Sequence, residues 1–431
     1  MKRAYFLTFI LCLCVVGVYA GDTIIVNNLK YVTSTGRKAV LIDGSQAKDS
    51  VVIPSTLGRR NLKFTVVGIG ESAFKKNWRI TSVKIPSTVE SIGDSAFLDC
   101  YNLKDLTCLS KELLYLGSRA FYSSPCLDSL VEKVGKYTYW KNWLISYDWY
   151  PITHENRYIR EGTIGVVRGD VSMTSTDTLF LPKSLRYIRP DMLWNKYIEV
   201  DKGNPYLHSN NGLLYADYGE EAYNDKKNLK IRGKGLLQIP RMGSNYNYGS
   251  VSLEDGVQYI VTEAIRNVRF DTLRVPEGCR VINENFYGVW SSKYLVLPST
   301  LEFFEMRDPR ASLKIVLKAK EVPENNGDSE TFLKCQLVKL YVPAVAYEKY
   351  CSDETYKDKF GSLLYYSDGD VNNDGVVNSA DVVAVYNYIS QGEKSGISQY
   401  CADVDADGIS NSADVVSIYN IITTGVVPYP K

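Results

Sequence analysis

Histidine is almost missing from this chain: 431 residues contain only His154 and His208. His154 stands in His-Glu-Asn with no second histidine at helical spacing, so the zinc-protease pattern fails. No Gly-x-Ser-x-Gly elbow occurs, since Gly70-Glu71-Ser72-Ala73-Phe74 lacks the closing glycine. A phosphate-binding glycine loop is also missing. Glycoside hydrolysis needs only two suitably separated carboxylates. Repeats and paired loops, however, account for nearly the whole chain, and the expectation is a protein that is not an enzyme.

Other shortages narrow the class further. Beyond residue 20 no hydrophobic run is long enough to cross a bilayer, so no membrane span is expected. Seven cysteines remain after residue 20: Cys100, Cys108, Cys126, Cys279, Cys335, Cys351 and Cys401. An odd number at irregular spacing does not describe a disulfide framework. Most of these cysteines read as small buried hydrophobes, although a Cys100–Cys126 or Cys100–Cys108 bridge is compatible with the sequence. Net charge is also small, +1, with 50 basic and 49 acidic residues. That near-balance hides an asymmetry. From Asp368 onward nine residues are acidic and two are basic, whereas residues 21–367 hold 46 basic and 40 acidic. An acidic tail suits cation binding, and the diffuse positive excess elsewhere gives no footprint for nucleic acid.

Residues 1–20 read as a secretory signal. Lys2 and Arg3 precede an apolar run, Tyr5–Val18, and Val18-Tyr19-Ala20 puts small residues at −3 and −1. Cleavage after Ala20 and a secreted or cell-surface location are expected. Residues 21–50 alternate apolar and polar and suggest short strands that open, or cap, the first domain.

A phrase then recurs. Val51-Val52-Ile53-Pro54-Ser55-Thr56-Leu57 returns as Val83-Lys84-Ile85-Pro86-Ser87-Thr88-Val89 and as Leu295-Val296-Leu297-Pro298-Ser299-Thr300-Leu301. Arg160 to Pro182, Glu254 to Pro276 and Pro276 to Pro298 are each 22 residues. Apolar residues at fixed phases of a 22-residue period imply a mainly β solenoid, because a single short coil cannot bury its own apolar edge but stacked coils share one core. Proline just after a strand ends it cleanly, since it has no N–H for the ladder. Two stretches break the rhythm. Tyr137–Tyr150 is dense in aromatics, including Trp140, Trp143 and Trp149. It reads either as core filling in a divergent coil or as a stacking platform for a glycan or partner protein. Residues 201–250, rich in Asn, Gly and Tyr, read as longer loops on a coil edge.

After Gly361–Gly369 the period changes. Asp370–Asp381, DVNNDGVVNSAD, has a near-copy in Asp403–Asp414, DVDADGISNSAD. Oxygen-bearing side chains fall at loop positions 1, 3, 5, 9 and 12, with Gly375 or Gly408 at position 6. This is the spacing a calcium-binding EF-hand loop needs. The candidate ligands are Asp370, Asn372, Asp374, the carbonyl of Val376, Asn378 and Asp381, then Asp403, Asp405, Asp407, the carbonyl of Ile409, Asn411 and Asp414. Two structural Ca²⁺ ions are expected. Loop two offers four carboxylates against three, which predicts tighter binding there. Position 8 is Val377 in loop one but Ser410 in loop two. A helix follows each loop, with apolar faces read as Val382, Val385, Tyr386 and Ile389, and as Val415, Ile418, Tyr419 and Ile422.

The repeats resemble the BspA-like leucine-rich repeats of bacterial surface proteins. Ile85–Leu106 carries the phrase, and Leu340-Tyr341-Val342-Pro343 with Tyr347, Tyr350 and Phe360 resembles that family's final coil. Loop-then-helix, twice, with Asp at position 12, resembles a type I dockerin. The resulting organisation is a signal at 1–20, repeats at 21–365, a small all-α dockerin at 366–425 and a tail at 426–431. Resemblance to dockerins implies docking onto a cohesin-like module through Ser379, Ala380, Ser412 and Ala413, the residues at loop positions 10 and 11. The function so implied is recognition or adhesion, with the repeats binding a protein or host ligand and the dockerin attaching the chain to a complex. A second reading is a non-catalytic subunit of a polysaccharide-degrading assembly, with the Tyr137–Tyr150 aromatics on glycan.

Overall fold

A computed structural model describes residues 22–427, apart from 35, 60, 112, 136, 148–156, 168–172, 189–192, 225–228, 241–245, 262–263, 286–288, 290–291, 308–311, 328–331 and 333–334. The segment 1–20 expected to be a signal, Trp149 and residues 428–431 of the expected tail therefore lie outside the described residues. The chain divides into two compact units, Met1–Asn195 with Glu199–Pro205, and Lys196–Ile198 with Tyr206–Lys431.

The first unit opens with the expected strands. Thr23–Val26, Leu29–Ser34 and Lys38–Asp43 pair antiparallel in sequence. Pairing then turns parallel: Lys38–Asp43 lies beside Leu62–Ile69, which lies beside Ser91–Ile92 and, through it, Tyr115–Leu116. A second parallel sheet holds Asp49–Val52, Ile80–Ile85 and Asp105–Cys108. Each turn of chain thus contributes to two sheets, with Pro86 just past the strand ending at Ile85. Between the sheets Phe74, Phe97 and Phe121 stack coil on coil, at 4.9 and 5.0 Å between ring centres. Burying one such ring is worth about 1.5–3 kcal/mol, and the coil beneath supplies the surface that buries it.

The aromatic stretch closes this core. Tyr137–Trp140 and Trp143–Tyr147 form a hairpin, and the latter strand continues in parallel onto Gly165–Val166. Trp140 packs edge-on against Phe121. Trp143 stacks on Tyr187 and donates its indole N–H to the Leu113 carbonyl at 2.8 Å. Gly165 lies against the Trp143 ring, where any Cβ would overlap it.

The second unit repeats the scheme. Leu207–Asn210, Leu213–Asn224 and Leu229–Gln238 form an antiparallel meander. Val257–Ile260, Val281–Asn285 and Phe303–Arg307 extend it in parallel. The companion sheet is parallel throughout: Ser250–Ser252, Thr272–Arg274, Tyr294–Leu297, Lys314–Leu317, Lys339–Pro343 and Ser362–Tyr366. Val251, Leu273 and Leu295 sit side by side, the 22-residue period read from the sequence. Residues 201–250 differ from the loop expectation. Much of that stretch is the meander, turned at Asn211 and Gly212, both at positive φ (49° and 80°). Asn-Gly flanked by apolar strands is a two-residue hairpin signal, and it outweighs the polar composition here.

Helix α1 (Tyr347–Ser352) follows Lys339–Pro343 and buries Tyr350, whose hydroxyl donates to the Ala319 carbonyl at 3.0 Å. Among the described residues three α-helices lie beyond the last strand: α2 (Ser379–Gln391), the single turn α3 (Gln399–Ala402) and α4 (Ser412–Thr424). Only Ser367, Asp368 and Gly369 separate strand Ser362–Tyr366 from loop one. The small core of this end joins Val371, Ala384, Val385, Cys401, Val404, Ile418 and Ile421 to Ala344 of the preceding coil, with Tyr365 packed against it. None of the seven described cysteines is bridged, so neither Cys100 pairing forms. Cys100 and Cys126 are buried as the hydrophobe reading requires, while Cys351 is exposed.

Candidate metal centre and docking face

The two acidic loops fold the same way, one hydrogen bond after another. Position 1 accepts from the amides of positions 5 and 6: Asp370 from Asp374 and Gly375 at 3.0 and 3.1 Å, Asp403 from Asp407 and Gly408 at 3.1 and 2.8 Å. Position 5 accepts from position 7: Asp374 from Val376 at 2.9 Å, Asp407 from Ile409 at 2.8 Å. The chain reverses at position 6, where Gly375 and Gly408 both have φ of +92°, a region costly for any side chain.

Position 12 closes each loop. Asp381 accepts from Val371, Asn372 and Asn378 at 2.8, 3.2 and 2.9 Å, and Asp414 from Val404, Asp405 and Asn411 at 2.7, 3.1 and 2.7 Å. Asn378 and Asn411 cap α2 and α4 and form capping boxes with those aspartates. Loop closure and helix start therefore share one carboxylate. The Val376 and Ile409 carbonyls accept from the side-chain amides of Asn378 and Asn411 at 3.3 and 3.0 Å. At position 8, Val377 is partly buried against the small core, while Ser410 donates to the Gln399 carbonyl at 3.5 Å.

The electrostatics call for a cation. Asp403 and Asp414 are 0% exposed, and no basic residue occurs between them in sequence. One carboxylate oxygen from each of Asp403, Asp405 and Asp414 lies within 4.8 Å of the others. Partial burial, and then the charges of Asp414, Asp407 and Asp403, hold the Asp405 carboxyl above its ordinary range. A set of hard oxygen donors with converging negative charge fits Ca²⁺. Loop one has Asn372 in place of Asp405.

The helix faces need correcting. The apolar periodicity groups Tyr386, Ile389, Tyr419 and Ile422 on one face with Val385 and Ile418. The buried stripe is instead Asp381, Ala384 and Val385 on α2 and Asp414, Ile418 and Ile421 on α4. Tyr386 and Tyr419 are 56% and 63% exposed, and Val383, Ile389, Val416 and Ile422 are also exposed. Ser379, Ala380, Ser412 and Ala413 are exposed beside them. Each loop-helix copy thus presents Ser-Ala, Val and Tyr-Asn outward.

Two of the proposed platform tryptophans do not face outward. Trp140 is 3% exposed and Trp143 1%. A sugar ring needs an exposed aromatic face to stack on, and both rings are buried, Trp143 with Tyr187 stacked on it, so the glycan platform fails at both positions. Lys320 and Tyr365 touch the acidic loops from the preceding coils, and no sequence motif marks either of them.

Comparison with known proteins agrees with this geometry. Residues 56–143 match the BspA type leucine rich repeat region in six copies, and residues 368–423 match the dockerin type I domain. The chain carries a BspA-type leucine-rich repeat region and a C-terminal type I dockerin. Both families are non-catalytic, both are typical of extracellular or cell-surface proteins, and type I dockerins bind calcium. Among the described residues no helix is long and apolar enough to cross a membrane. Solved structures similar to the chain include a leucine rich cell surface protein from Faecalibacterium prausnitzii, with 15% identity, 80% of this chain and 95% of that one covered, and a TM-score of 0.28. The pneumococcal vaccine antigen PcpA has 15% identity, 80% and 99% coverage and a TM-score of 0.30. A leucine-rich repeat protein from Bacteroides ovatus has 13% identity, 80% and 100% coverage and a TM-score of 0.23. No curated protein matches the chain.

Proposed function

We propose that this is a secreted, non-catalytic recognition or adhesion protein. Its leucine-rich repeats, residues 21–365, bind a protein or host ligand, and its dockerin, residues 366–425, docks onto a cohesin-like partner. Two calcium ions hold the dockerin, one per loop, through the twelve ligand positions from Asp370 to Asp381 and Asp403 to Asp414. Residues 1–20 direct export and are removed after Ala20.

The observation that carries this reading is the duplicated surface. Ser379-Ala380 with Val383 and Tyr386, and Ser412-Ala413 with Val416 and Tyr419, are the same exposed apolar patch presented twice. Large exposed apolar side chains beside small ones favour a protein partner. Duplication lets the partner use either copy.

The test is capture of the full mature chain on immobilised cohesin modules, in calcium and in chelator. Capture in calcium alone is expected. Ala380→Arg or Ala413→Arg alone should leave capture nearly intact, because the other copy remains, and the double variant should abolish it. Capture that persists in chelator, or that is lost with one variant, would count against the reading.

A further inference from the structure

The repeat coils reach into both acidic loops, with groups of different charge. Lys320 lies just beyond strand Lys314–Leu317. Its Nζ is 2.7 Å from Asn373 Oδ1 and 3.4 Å from Asp370 Oδ2. The Asp370 side chain is 4% exposed. Tyr365, on strand Ser362–Tyr366, donates its hydroxyl to Asp403 Oδ2. Tyr347, Tyr365 and Tyr400 pack together at 4.7 to 5.2 Å and hold that phenol in place. Asp370 and Asp403 are the same position, the first, in their loops. One carries a full positive charge against it; the other accepts a neutral hydrogen bond.

We infer that Lys320 is a resident counter-ion of loop one, which weakens that loop's calcium site and keeps the loop ordered without the ion, while Tyr365 supports loop two without replacing its ion. This inference rests on the calcium reading of the loops given above. A buried carboxylate without a counter-charge is costly, and Lys320 relieves that cost for Asp370. An arriving dication must then share Asp370 with an ammonium roughly 6 Å away, given Ca–O distances of about 2.4 Å. In a water-like dielectric that repulsion is worth about tenfold in affinity. A phenol hydroxyl carries no net charge, so Asp403 keeps its need for a cation. Its hydrogen bond fixes one oxygen of Asp403 in place, as an outer-shell partner orients a metal ligand.

Calcium titration of the full mature chain tests this, read at the amides of Gly375 and Gly408. Each of these amides hydrogen-bonds to its loop's position-1 aspartate, so the two loops report separately. In the parent chain Gly408 is expected to respond at lower calcium than Gly375. Lys320→Met should lower the Gly375 midpoint about tenfold and leave Gly408 unmoved, while Lys320→Arg, which keeps the charge, should stay at the parent value. Tyr365→Phe should raise the Gly408 midpoint a few-fold and spare Gly375. A Gly375 midpoint that is unmoved or raised by Lys320→Met overturns the inference. Loss of the Gly408 response in that variant overturns it too, because Lys320 would then hold the fold rather than tune the loop. If neither amide of the parent chain responds to calcium, the calcium reading itself fails and this inference falls with it.

Discussion

The repeat coils and the dockerin solve the same problem, a chain segment too small to bury its own core, with opposite chemistry. In the coils the answer is apolar. Phe74, Phe97 and Phe121 stack, and each coil is covered by the next. In the dockerin a handful of apolar residues surround buried carboxylates, Asp381, Asp403 and Asp414 among them. Coils complete one another through neighbours of the same kind, whereas the dockerin, on the proposed reading, is completed by calcium and by the coil it leans on. Stability in the first should be indifferent to calcium, and in the second governed by it.

Four substitutions probe that contrast, from the largest expected effect to the smallest. Phe97→Ala opens a cavity between two stacked rings and should cost about 4 kcal/mol. Its effect should be equal with and without calcium, as read by thermal unfolding in both conditions; a calcium-dependent loss would blur the distinction. Asp414→Ala removes the acceptor of three backbone amides and half of a capping box. A loss of about 3 kcal/mol is expected, confined to the dockerin and accompanied by loss of calcium binding at loop two, measurable by calorimetric titration. Trp143→Phe leaves the Leu113 carbonyl without its donor and should cost about 1–2 kcal/mol in the first unit only. Ligand binding by the repeats should survive it, because Trp143 is core; a ligand-binding defect without a stability change would return the residue to the surface.

The smallest effect, and the most informative in sign, belongs to Asp405→Asn. This change makes position 3 of loop two match Asn372 of loop one. The Asp405 carboxyl sits above its ordinary range, so its protonated form favours the folded loop. That contribution is fully present below the ordinary carboxylate pKa and is lost as pH rises through the raised value. Without calcium the dockerin should therefore gain stability on acidification through this interval, and Asp405→Asn should mimic the gain at neutral pH. With calcium the same variant should bind loop two several-fold more weakly. Unfolding curves in chelator at two pH values, set beside a calcium titration, would show both signs; the same sign in both would contradict the repulsion argued for this cluster.

Much of this contrast was legible in the sequence because it is periodic or local. The phrase around Pro54, Pro86 and Pro298 fixes strand ends at a 22-residue spacing, and the loop positions of Asp370–Asp381 are read within twelve residues. Three things were not. The meander of residues 207–238 hides behind polar composition, although Asn211-Gly212 marks its first turn. The outward set of Tyr386 and Tyr419 could not be separated from the buried stripe, since one apolar period covers both faces of a helix whose core is so small. The links from Lys320 to Asp370 and from Tyr365 to Asp403 span 50 and 38 residues, with no pattern connecting them. They arise because the last coil delivers the chain directly into loop one, which places the dockerin against the coils.

Hydrogen exchange on the full mature chain, with calcium and then with chelator, tests the central contrast most directly. Removal of calcium should strip protection from loop two and α4 at Asp403–Thr424, reduce it less in loop one beside Lys320, and leave the coil amides of Phe74, Phe97 and Leu295 unchanged. Equal protection of Asp403–Thr424 in both conditions, or loss that spreads evenly into the coils, would contradict the account.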